Sequence, residues 1–240
     1  MLAGFARPKK VTVAKTVRRV LAALVFLLLA WQGWYFGWIV WWKYANPDTT
    51  HFMSLRLDEL REKNPQAELK KQWVSYDRIS IHLKRAVIAA EDAKFSEHEG
   101  FDWEGIQRAL EKNEQQGKIV AGGSTISQQL AKNLFLSASK TPWRKAQEAI
   151  ITVMLEAVLD KQRIFEIYLN VVEWGEGVFG AEAAARQYYG IPAAKLSAAQ
   201  AARLAILLPN PRKFGRLPRS PYLAARTQII LGRMSASDVP

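Results

Sequence analysis

Apolar residues recur at helical spacing along most of this chain, and alternating strand patterns are scarce. One segment departs from that rule by having almost no polar positions. Val20 to Trp42 runs 23 residues without a charge. At about 1.5 Å per residue it reaches roughly 34 Å, against a hydrocarbon core of about 30 Å. The pattern therefore predicts a transmembrane helix over 20–42. Trp31, Trp34, Trp38, Trp41 and Trp42 crowd its C-terminal half, as an interfacial aromatic belt does. A cleavable signal peptide would have a shorter apolar run followed by a small-residue cleavage site, and the sequence has neither.

Residues 43–72 read as a linker region. Asn46-Pro47-Asp48 is a turn, Ser54 to Lys63 has helical character, and Asn64-Pro65 ends it. Trp73 to Tyr76 reads as a short extended piece. A mainly α domain is predicted over 73–234. Ser80 caps a helix carrying Leu83, Val87, Ile88 and Ala90. Asp102–Asn113 and Thr125–Phe135 follow as helices, with Gly117 to Gly123 a loop between them. Thr141 at the N-cap and Pro142 at the first position open a helix reaching about Asp160. It is apolar over much of its circumference and is expected to be the central buried helix. Gln162–Asn170 comes next, then Ala181–Tyr189, which ends at Gly190. A capping box at Ser197 opens a helix stopped by Pro209, and Tyr222–Met234 is the last.

Charge sharpens the topology. The net charge is +12, and residues 1–19 contribute half of it through Arg7, Lys9, Lys10, Lys15, Arg18 and Arg19 with no acid. That bias predicts a cytoplasmic N-terminus and a domain on the outer side of the membrane, which in a bacterium means the periplasm or the cell surface. Nucleic acid is thereby excluded as the partner of the second basic run, Arg203 to Arg233, which suits an anionic lipid or a phosphorylated substrate instead. There is no cysteine, and the three histidines are scattered, so thiolate and histidine-rich metal sites are excluded.

Three clusters carry chemistry. Gly122-Gly123-Ser124-Thr125-Ile126-Ser127-Gln128-Gln129-Leu130-Ala131-Lys132-Asn133 combines backbone freedom, hydroxyls, amides and a cation. That mix can hold a sugar and a phosphate together, although a glycine turn feeding a polar-faced helix explains it too. Glu91-Asp92 ends an apolar helix beside Phe95 and His98, where desolvation would raise a carboxyl toward a useful general base. Arg144, Lys145 and Glu148 share one helix face at i, i+3 and i+4 spacing, a charged strip on an otherwise apolar helix. His98 reads as a structural histidine. Ser137-Ala138-Ser139-Lys140 matches the pattern of serine acyl-enzymes but lacks the partner motifs.

Taken in order, the blocks Glu91 to Gly100, Gly122 to Asn133, Arg144 to Glu148 and Lys161 to Asn170 resemble the peptidoglycan glycosyltransferases, glycosyltransferase family 51. Gly175 to Gly190 is similar as well, and no penicillin-binding transpeptidase domain is expected to follow. Ser127 stands where the family commonly has threonine. The resemblance implies a lysozyme-like α fold with a small mobile lobe. It implies polymerisation of lipid II with inversion, releasing undecaprenyl diphosphate. Glu91 would be the base for the acceptor 4-hydroxyl, and Glu148 the second acid. Lys132, Arg144 and Lys145 would hold the diphosphate. Ser124, Thr125, Gln128 and Gln129 would line the sugar and phosphate pocket. No covalent cofactor is implied, and a divalent cation, Mg2+ or Mn2+, would sit near Glu148. The partners would be lipid II, the growing glycan chain, the membrane, and divisome or other wall-synthesis proteins. The alternatives are a wall-cleaving muramidase and a non-catalytic membrane-anchored scaffold. The cation trio argues against the muramidase, because a neutral glycan has no diphosphate.

Overall fold

The computed structural model describes residues 10–118, 122–139, 141–217 and 220–240. Part of the basic N-terminus, the middle of the 117–123 loop and Lys140 of the serine-enzyme pattern lie outside the described residues. Helix α1 (Lys10–Trp42) contains an apolar stretch, Ala14–Trp42, long enough to cross a membrane. Side chains 14–30 are all exposed, whereas Ile39 and Trp42 enter the core. Half of this helix therefore projects, and the other half is docked.

Arg163 holds the docked end. Its guanidinium donates to the carbonyls of Trp42 at 2.9 Å and Ala45 at 2.6 Å, to Asn46 Oδ1 at 2.9 Å and to Glu166 Oε2 at 2.6 Å. A cation at the last carbonyls of a helix meets both its unpaired acceptors and the negative end of its dipole. Further up, Gln32 and Gln147 exchange two side-chain hydrogen bonds of 3.0 Å, and Trp31 stacks on Trp143.

The segment expected as linker is part of the packed domain. Helix α2 (His51–Arg61) starts where Thr50 accepts the Met53 N–H, and it buries Phe52 and Met53 against the domain. Strand β1 (Lys70–Lys71) joins a small sheet with β2 (Glu173–Gly175) and β3 (Val178–Phe179), in the order β1-β3-β2. β1 runs parallel to β3 with Lys70 opposite Val178, and β2 runs antiparallel with Glu173 opposite Phe179. Pieces of two or three residues give no alternation to read, so the sequence pattern does not disclose them.

The helical body follows the pattern closely. Its members are α3 (Ile81–Glu91), α4 (Trp103–Gln116), α5 (Ile126–Phe135), α6 (Pro142–Val158), α7 (Lys161–Val171), α8 (Ala181–Tyr189), α9 (Ala198–Ala205), the one-turn α10 (Pro211–Phe214) and α11 (Pro221–Arg233). Ser80, Asp102, Thr125, Thr141 and Ser197 each cap the helix assigned to them. α5 packs on α6 and α7, while α3, α9 and α11 form the other side of the body. Gly180 turns β3 into α8 at φ 86°, where a Cβ would meet the Asn170 carbonyl oxygen at 2.7 Å.

One expectation is overturned. α6 is not the central buried helix. That place belongs to α7, whose Ile164, Phe165, Ile167, Tyr168 and Leu169 are fully buried. α6 buries Gln147, Glu148, Ile151, Thr152 and Leu155 but exposes Trp143, Ala146, Ile150, Val153 and Ala157, an uninterrupted apolar stripe. An all-round apolar helix is buried in protein or faces lipid. The second case also fits this helix, since the stripe begins at the Trp143 that stacks on α1.

Arg163→Ala is expected to cost roughly 2–4 kcal/mol, because it strands Glu166 and the carbonyls that end α1. Thermal unfolding of the full chain in detergent measures this. Arg163→Lys should recover less than half, since one ammonium cannot reproduce the guanidinium fork.

Candidate active site

The site is assembled where α3 ends and α5 begins. Asp92, one residue past α3, is buried. Its Oδ2 accepts the N–H of Ile126, the first residue of α5, at 2.9 Å, and its Oδ1 lies 2.9 Å from His98 Nε2. Gly100 donates its N–H to His98 Nδ1 at 3.1 Å, so the ring proton sits on Nε2 and points at Asp92. The Thr125 hydroxyl donates to the Gly100 carbonyl at 2.6 Å. His98 is thus a structural histidine. Thr125 and Gln128, expected to line the pocket, instead form a capping box. Thr125 Oγ1 accepts the Gln128 N–H, Gln128 Oε1 accepts the Thr125 N–H, and both side chains are buried. Their polar atoms are committed to starting α5.

This knot sets Glu91 against α5. Gln129 donates its amide to Glu91 Oε2 at 2.7 Å. The buried Tyr168 of α7 donates its hydroxyl to Gln129 Oε1 at 3.1 Å, which fixes the amide with its nitrogen toward Glu91. The other oxygen, Glu91 Oε1, is buried and has no hydrogen-bond partner among the described residues. Burial raises the Glu91 pKa above the usual carboxylate range, with Asp92 adding to it, while the Gln129 bond and Lys132 pull the other way. A carboxyl held in this way can serve as a general base.

Lys132 lies one turn further along α5. Among the described residues its ammonium has no hydrogen bond or ion pair. Burial lowers its pKa, Glu148 and Glu91 raise it, and Arg144 and Lys145 lower it. Glu91 on one side and Arg144, Lys145 and Glu148 on the other therefore all act on Lys132. On α6, Arg144 and Lys145 each bind one oxygen of the buried Glu148. Lys145 also reaches Ser124 Oγ at 3.4 Å, tying α6 to the exposed start of the α5 loop. The surroundings of Glu148 do not fit a protein-built metal site. Both its oxygens are taken by cations, and among the described residues no three His, Asp or Glu side chains converge.

Gln129, Lys132 and Arg144 line a cavity of about 430 Å³, a size suited to a small-molecule site. Its far end holds residues the sequence pattern did not single out. Arg56 of α2 binds the buried Glu173 at 3.1 Å, and Arg212 of α10 joins it there. Burial raises the Glu173 pKa, with Arg56 opposing. Arg212 lay within the basic run noted in the sequence. Arg56 gave no signal, because its helix reads as linker. Tyr168 lay inside a recognised block without an assigned task.

The chain matches the family model described as Transglycosylase over residues 58–235. It is 62% identical over 229 residues to the biosynthetic peptidoglycan transglycosylase of Azoarcus sp. strain BH72, covering 95% of this chain and 99% of that one. The protein of the same name from Dechloromonas aromatica is 62% identical over 224 residues, covering 93% and 97%. That from Laribacter hongkongensis is 62% identical over 226 residues, covering 94% and 99%.

Glu91→Gln is expected to make the protein more stable than wild type at pH 8. A carboxyl whose pKa is raised on folding costs stability as pH rises from its unfolded value through its folded one. The neutral amide escapes that cost, so the difference should close as pH falls toward the unperturbed Glu range of about 4.3. Thermal midpoints across pH test this, and equal midpoints at pH 8 would contradict the burial argument.

Proposed function

The chain belongs to the transglycosylase family and is a peptidoglycan glycosyltransferase, and on that premise we propose that it polymerises lipid II. The acceptor 4-hydroxyl gives its proton to Glu91 and its oxygen bonds to the donor anomeric carbon. The bond from that carbon to the diphosphate breaks with inversion, and undecaprenyl diphosphate leaves. The observation that supports this reading is the pairing, among the described residues, of a Glu91 carboxylate oxygen that has no hydrogen bond with a half-buried Lys132 ammonium that has no hydrogen bond or ion pair. The first is placed to take a proton, and the second to receive a dianion.

Lys132, Arg144 and Lys145 hold the leaving diphosphate. Such a group needs charge neutralisation more than it needs protonation. Glu148 keeps Arg144 and Lys145 together on one side, so that the cluster does not fly apart when the groove is empty. Ser124 and Gln129 contact the sugars and phosphate at the rim. Thr125 and Gln128 act indirectly, by fixing where α5 starts.

The anchor has a role in this scheme. α1 crosses the inner membrane once, with the basic N-terminus in the cytoplasm and the domain in the periplasm. The apolar stripe of α6 rests against the bilayer beside it. Substrate and product both carry long lipids, so an enzyme seated at this height meets their head groups without extracting the tails.

Glu91→Gln is expected to lower polymerisation of purified lipid II by roughly 10²–10⁴-fold with substrate binding retained. Near-wild-type turnover would reject Glu91 as the base. In the wild type the acid limb of the kcat/KM profile should lie above the ordinary carboxylate range. Gln129→Ala should move it higher, because the lost hydrogen bond is one that lowers the Glu91 pKa. An acid limb unmoved or moved downward would separate Gln129 from the base.

A further inference from the structure

Resting on the reading of a lipid diphosphate substrate, we propose that a second groove receives the polyprenyl chain of that substrate. The groove lies between the end of α1 and the end of α5. It has a volume of about 470 Å³ and is walled by Trp34, Trp38, Trp41 and Trp42, with Leu134 and Phe135 as its floor. The turn formed by residues 46–49 closes one edge with polar groups.

Three features fit a branched, unsaturated hydrocarbon chain. The first is the surface. Trp34 meets Trp38 edge-on at 5.8 Å, Trp38 meets Trp42 at 5.6 Å, and Trp42 meets Phe135 at 5.1 Å. This is a continuous run of rings on which methyl-bearing units pack by dispersion. The second is direction. From Trp42 back to Trp34 the groove follows α1 toward the hydrocarbon core for about 12 Å, at about 1.5 Å per residue. A chain entering at the floor is led into the bilayer. The third is connection to the site. Phe135 on the floor and Lys132 in the catalytic groove are three residues apart on neighbouring sides of α5. That is roughly 4.5 Å of rise. A diphosphate at Lys132 thus has its lipid attachment one helical turn from the rings.

An ordinary phospholipid tail or another protein's helix would find the same apolar wall. Neither would be placed there by Lys132. The occupant whose charged and apolar ends match both grooves at once is the lipid diphosphate.

The test compares substrates that differ only in tail. Trp34→Leu/Trp38→Leu keeps the anchor apolar while breaking the run of rings, and both residues are exposed. Thr49→Trp fills the groove from its polar edge. Each is expected to raise KM for native-length lipid II about fivefold or more, with kcat/KM for an analogue bearing a two-isoprene tail unchanged. Equal losses on both substrates, or no loss on either, would overturn the proposal. An activity-independent arm uses undecaprenyl diphosphate carrying a diazirine on the isoprene unit nearest the phosphate, with the full chain in vesicles. Crosslinks on the peptides containing Trp38 to Trp42 or Leu134 and Phe135, outcompeting a diazirine phospholipid, support it. Crosslinks elsewhere, or equal capture of the phospholipid, defeat it. A wild type that polymerises neither substrate would strike the lipid II reading itself, leaving the crosslink to judge the groove.

Discussion

A buried carboxylate with two obligations governs this molecule. Asp92 must satisfy both the first amide of α5 and the ring of His98, and it can do so only if the end of α3 lies against the start of α5. An unpaired charge at that depth would cost several kcal/mol, so the contact is close to mandatory. Everything chemical hangs from it. Glu91 precedes Asp92 by one residue, and Gln129 and Lys132 follow Ile126 by one and two turns of helix. Fixing one junction therefore fixes Glu91, the amide that binds it and the ammonium one turn further along α5. The residues that hold the junction, Thr125, Gln128 and His98, contribute no surface to the groove. Thr125 Oγ1, Gln128 Oε1 and the His98 ring are spent on backbone groups and on Asp92.

A second constraint shapes α6. This helix must bear Arg144, Lys145 and Glu148 on one side while carrying an exposed apolar stripe on the other. The ion triad lets it do so, because charges bound to one another are less costly to keep near a low-dielectric boundary than separate ones. Lys132 is the exception. It lacks a bonded counter-ion among the described residues, and burial lowers its pKa while Glu148 and Glu91 oppose that and Arg144 and Lys145 add to it. That leaves it ready for an incoming anion.

Much of this was legible in the sequence because it rests on local rules. Thr141-Pro142, Ser197 with Gln200, and Gly190 each mark a helix end by chemistry confined to a few residues, and each end falls where those residues put it. The juxtaposition of Arg144, Lys145 and Glu148 followed from helical spacing alone. What failed needed long-range information. Thr125 and Gln128 look the same in a sequence whether their polar atoms face a ligand or a helix start. α6 looked buried because an apolar circumference does not disclose which of its faces the rest of the protein covers. Arg56, Glu173 and Arg212 come from three separate elements, α2, β2 and α10, and no spacing rule connects them. The docked half of α1 was equally hidden, since a span and a core helix share one composition.

The double duty of α1 bears on how the enzyme can be handled. Ile39 and Trp42 belong to the core, Trp42 covers Phe135, and the Trp42 carbonyl completes Arg163. Deleting the anchor to obtain a soluble fragment would unroof that core at the corner nearest Lys132. The cut has to fall in the projecting stretch, near residue 30, where side chains 14–30 are exposed. Even then the fragment keeps a greasy cap of tryptophans and needs detergent to stay dispersed.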